Sequence, residues 1–233
     1  MTVRPAEAAD ALLDEVVRGV LSDRTLQDHD KEEHAFARLH HPSTDVRRAV
    51  FERLPARLAA LNRSAPFFRL RNVFDRLLDD EPGLAPSVTA DALIERVINR
   101  VLENFNEALA QFLSVPREVT LLILDHLPAR IAELETETRW KAELWQVLAR
   151  LHELEAQLRA AETAEGDPAT VAANLLGALF AQIELLGHRS RDKTYARATG
   201  ALTAQPSPVR RALIRSLLGR MNEAREHNGY VFE

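Results

Sequence analysis

Cysteine is absent, which excludes a disulfide framework, a thiolate zinc site and a cysteine nucleophile. Glycine occurs only eight times in 233 residues, and no glycine-rich loop of the kind that cradles phosphate is formed from it. Aromatic residues make up 6% of the chain, and β-branched runs with the period-two alternation of strands are missing. No stretch of about 18 apolar residues occurs, so no transmembrane helix is expected. Residues 1–10 carry Arg4, Glu7 and Asp10 without an apolar segment, unlike a secretory signal. A cytoplasmic location is the resulting expectation.

Ala, Leu, Arg and Glu dominate what remains, and they lose little rotamer freedom in a helix, so an all-α fold is expected. Charge is strongly zoned. Residues 77–137 hold twelve Asp or Glu against four Lys or Arg, whereas residues 188–220 hold eight Lys or Arg against one acid. The first predicted helix, Ala6 to Leu21, places Leu12, Leu13, Val16, Val17 and Val20 on one face. Asp23 to Glu33 reads as a polar linker, and Asp79 to Pro86 as a loop.

The organising stretch is Pro42 to Leu61. Its second half, Leu54-Pro-Ala-Arg-Leu-Ala-Ala-Leu61, returns as Leu127-Pro-Ala-Arg-Ile-Ala-Glu-Leu134. An apolar residue at x, x+8, x+12 and x+15 falls within one helical arc of about 120°. Five segments fit, starting at Val46, Ala90, Val119, Val171 and Val209. Each is preceded three or four residues earlier by a proline: Pro42, Pro86, Pro116, Pro168 and Pro206. Proline suits a helix start because its missing N–H would be unpaired there anyway. Partner helices are predicted near 31–40, 66–80, 107–114, 138–163 and 190–202. Pro55 and Pro128 fall inside predicted helices and should kink or break them at the preceding leucine.

One helix pair per roughly 40 residues, with Pro42-Ser-Thr-Asp-Val-Arg47, Pro116-Arg-Glu-Val119 and Pro206-Ser-Pro-Val-Arg210 opening second helices, resembles the HEAT-like α-solenoids. The resemblance implies antiparallel helix pairs stacked as a right-handed α-solenoid, with a compact multi-helix bundle as the alternative. Residues 1–30 would form a capping helix and acidic linker, 31–226 about five pairs, and 227–233 a tail.

Candidate chemistry is sparse. His29, His34, His40 and His41 lie among acids, but the spacing is not that of a zinc protease, and a solvated linker is the expected role. Glu184 with His188 and Glu223 with His227 are spaced as ordinary helix-surface pairs. No nucleophile–base constellation is found, and no cofactor or metal site is expected. Trp140 falls on an apolar stripe with Leu144, Val147 and Leu151. Trp145 lies off it beside Ala149, His152 and Ala156, either as a second packing face or as a ligand contact. Arg57, Arg130 and Arg220 all occupy x+11, where a ladder to acidic neighbours is expected. Arg48, Arg211 and Arg215 point away from the stripe, and Arg189, Arg191, Lys193 and Arg197 complete a basic zone. A non-enzymatic protein-interaction scaffold with an acidic protein partner is the first functional expectation. A nucleic-acid binder is the second. The HEAT-like resemblance extends that second case to the alkylpurine DNA glycosylases, in which Trp145 and Asp125 would be cast as groove residues.

Overall fold

A computed structural model describes residues 4–23, 25–40, 43–99, 105–134, 139–163, 166–186 and 202–228. These residues are mainly helical and contain no strand. The helices are α1 (Pro5–Glu15, prolonged by a π-turn over Val16–Val20), α2 (Asp28–Leu39), α3 (Thr44–Ala60), α4 (Ala65–Asp80) and α5 (Pro86–Asn99), followed by α6 (Phe105–Leu113), α7 (Arg117–Ala132), α8 (Arg139–Thr163), α9 (Pro168–Leu186) and α10 (Ser207–Asn228). Proline stands at the first position of α1, α5 and α9 and immediately before α7 and α10. At α9 the start is reinforced by Asp167, whose carboxylate accepts the Ala169 and Thr170 amides at 2.8 and 3.2 Å. The Thr170 hydroxyl adds a third bond at 2.6 Å. These bonds, the hydroxyl's foremost, hold the Asp167 carboxyl below its ordinary range.

The chain divides into two compact units, Met1–Leu93 and Ile94–Glu233. In the first, α1 packs along α3 and α2 along α4. Their direction follows from their ion pairs. Asp10 meets Arg53 at 2.8 Å, and one turn further along both helices Asp14 meets Arg57, so α1 and α3 run parallel. Asp28 meets Arg69 at 2.6 Å and Glu33 meets Arg76 at 2.8 Å, so α2 and α4 run parallel as well. Val50, Leu54, Leu70, Val73 and Leu21 are fully buried between these helices, and Phe51 meets Phe74 edge-on at 6.3 Å. Arg47 of the Asp-Val-Arg element forks onto Glu81 through two bonds of 2.8 Å.

In the second unit the short α6 buries Ala108, Leu109, Phe112 and Leu113 and packs against α7, α8 and α9. The buried Thr120 hydroxyl of α7 donates to the Phe112 carbonyl of α6 at 3.0 Å. Arg117, at the start of α7, bonds Glu155 at 2.9 Å and Glu162 at 2.7 Å late in α8, so these two helices run antiparallel. Burial depresses the Arg117 guanidinium, but both carboxylates outweigh it and its pKa lies above the usual value.

The two related octapeptides occupy matching environments. Leu54 and Leu127 are both fully buried, as are Leu58 and Ile131 within a few per cent. Arg57 reaches back from α3 to Asp14 on α1, and Arg130 reaches back from α7 to Glu95 on α5. The expected ladder is therefore present at both positions; the Arg220 side chain lies outside the described residues.

Two expectations are corrected. The acidic stretch is not all linker, because α2 begins at Asp28 and its acids face α4, with Asn72 donating to Glu32 at 2.9 Å. Acids in a first turn favour the helix through its dipole, and cross-helix partners then fix them. Of the kink or break expected at Pro55 and Pro128, the break does not occur: α3 and α7 run on to Ala60 and Ala132. Buried leucines or isoleucine on both sides of each proline hold both halves to one core, offsetting the lost hydrogen bond. Of the stripe from Ala90, Leu102 lies outside the described residues. Over Pro86–Asn99 the buried side of α5 is Ala90, Leu93, Ile94 and Val97.

Candidate functional site

Helix α10 is anchored by its inner stripe. Leu213 is buried, and Val209, Ala212 and Leu217 pack with it against Leu158, Ala161, Ala172, Leu175, Leu176 and Leu179 of α8 and α9. At 100° per residue, Arg211, Ile214, Arg215 and Leu218 then share an outward arc of about 100°. All four are exposed, Ile214 to 58% and Leu218 to 53%. Exposure of two large aliphatic side chains one turn apart, with two cations beside them, is the unusual feature of this surface.

Its electrostatics differ from those of the interior ladders. Arg53, Arg57, Arg69, Arg76, Arg117 and Arg130 all meet carboxylates on other helices. Among the described residues Arg211 donates to the carbonyl of Ser207, at 3.4 Å, and neither it nor Arg215 has a carboxylate partner. Arg210 donates to the Ser207 hydroxyl at 3.1 Å.

The remaining candidates scatter. Arg48 is half-exposed on α3 in the first unit, donating to the Leu84 carbonyl at 3.3 Å, with Asp45 at 3.8 Å. Arg189, Arg191, Lys193 and Arg197 lie outside the described residues. Trp145 is 44% exposed on α8, whereas Trp140 is partly covered with its indole N–H buried. Asp125, 84% exposed on α7, lines a groove of 380 Å³ with Leu121, Leu124, His152, Glu155, Ala156 and Arg159; Trp145 is not among the lining residues. His40 stacks on Phe36 at 5.8 Å and points Nε2 at Asp80 from 3.2 Å, while His41 lies outside the described residues. Among the described residues no group of three or more His, Asp or Glu is placed to hold a metal ion. No described helix is long and apolar enough to cross a membrane.

Ile214 and Leu218 are not evident from the periodicity, which marks only the positions that are apolar on the inward face. The signal was present: Val209 to Leu218 holds more aliphatic residues than one buried face can use. No family model matches the chain, and neither a curated protein nor a solved structure matches it.

Proposed function

We propose that the chain is a non-enzymatic protein-interaction scaffold built from HEAT-like helix pairs, and that the outward face of α10 contacts an acidic protein. The carrying observation is the contrast in arginine use: those between helices are neutralised by carboxylates, whereas Arg211 and Arg215 face solvent without one among the described residues. Surface cations of this kind steer an oppositely charged partner and fix its register. The like-directed stacking of α1 on α3 and of α2 on α4 supports the helix-pair reading, since stacked pairs repeat their direction. A nucleic-acid groove at Asp125 is less well supported, because exposed Asp125 faces it and Arg159 is the one arginine or lysine among its lining residues.

Photo-crosslinking in the native cell tests the reading, with a benzophenone amino acid placed at Arg215. Discrete protein adducts with acidic surfaces, lost when Arg211 is also changed to Glu, are expected. Adducts dominated by nucleic acid, or none above those of a probe placed at exposed Arg63, would contradict it.

A further inference from the structure

Charge alone does not account for the α10 surface. Ile214 and Leu218 stand one turn apart on one side of it, with Arg211 and Arg215 one turn apart beside them. A partner that met only the arginines would leave two aliphatic side chains in water, at the same place where association could bury them. A partner that met only the aliphatics would have to desolvate two cations unpaired. Both demands are satisfied by one kind of surface: a helix with carboxylates at i and i+4 beside an aliphatic ridge.

This chain already uses that match internally. Asp10 and Asp14 on α1 meet Arg53 and Arg57 on α3, while Leu13, Val16 and Val17 of the same segment are buried in the adjoining core. The arginines of α10 repeat the same spacing, with no carboxylate partner for either among the described residues.

We propose, building on the reading above, that the Arg211–Ile214–Arg215–Leu218 face of α10 docks an acidic amphipathic helix of a partner protein. Two carboxylates one turn apart meet the two guanidinium groups, and aliphatic side chains beside them cover Ile214 and Leu218. A second copy of α10 fits poorly, since a two-fold contact would set arginine against arginine. Nucleic acid fits poorly as well, since aliphatic side chains neither pair with phosphate nor stack on bases.

The test uses fluorescence anisotropy with the full chain and a labelled synthetic peptide of residues 5–21, which carries Asp10 and Asp14 beside Leu13 and Val17. Binding is expected at low salt, at least about tenfold weaker after Arg211→Glu with Arg215→Glu, and separately weaker after Ile214→Ser with Leu218→Ser. All four positions are exposed, so both variants should keep the circular dichroism and melting temperature of the parent. A peptide with Asp10→Lys and Asp14→Lys should not bind. Absence of binding by the parent peptide, or binding unchanged in either double variant, would overturn the proposal. So would a dimer in sedimentation that the Ile214→Ser, Leu218→Ser variant dissociates. If the peptide fails while acidic-protein crosslinks at position 215 persist, the helix proposal falls alone.

Discussion

Replacing Leu127 by Ala tests whether the α7 copy of the repeated octapeptide anchors a core. Leu127 is fully buried on α7, as are its neighbours Ile123 and Ile131 one turn away on either side. The substitution removes three carbons; at about 0.8 kcal/mol for each buried methylene, the transfer loss is roughly 2.4 kcal/mol. Helices on several sides restrict collapse of the space left behind, so the total should reach about 3–5 kcal/mol. Leu12 on α1 is only partly buried, and Leu12→Ala should cost about 1 kcal/mol because no sealed cavity forms. Both tryptophans lie on α8, in the same unit as Leu127, so their fluorescence reports its urea unfolding. Circular dichroism at 222 nm follows both variants. A cost for Leu127→Ala below about 1.5 kcal/mol, or no greater than that of Leu12→Ala, would refute the burial argument.

Two further outcomes follow from the ion pairs. Arg117→Leu takes away the cation bonded to Glu155, whose side chain is only 5% exposed, and to Glu162; it should cost about 2–4 kcal/mol in urea, and adding Glu155→Leu should recover part of the loss. The Asp28 and Glu33 carboxyls are held below their ordinary 3.8 and 4.5, chiefly by hydrogen bonds from Arg69 and Arg76 respectively. Depressed folded-state values mean that their stabilisation is complete above those ordinary values and is lost as pH falls through the lower folded ones. The melting temperature should therefore drop between about pH 5 and pH 3, and less steeply in the Arg69→Gln, Arg76→Gln variant.

Much of the fold was legible because its signals are local. Prolines at fixed offsets marked helix starts, and the repeated arginine at x+11 foretold the pairs of Arg57 with Asp14 and Arg130 with Glu95. What was not legible depends on neighbours. Asp28 to Glu33 looks like a solvated linker until Arg69, Asn72 and Arg76 of α4 are placed opposite its acids. The outward aliphatics of α10 were hidden for a related reason: periodicity finds the buried face and is silent about apolar residues left over.

The most direct test of the functional reading is anisotropy of labelled duplex and single-stranded DNA and RNA, at low and at physiological salt. Weak binding at low salt that vanishes at physiological salt is expected, since two exposed arginines neutralise few phosphates. The residues 77–137, with twelve acids against four bases, should add no attraction. Micromolar binding that persists at physiological salt, and is lost when Arg211 and Arg215 are both changed to Glu, would contradict an acidic protein partner and make nucleic acid the ligand of α10.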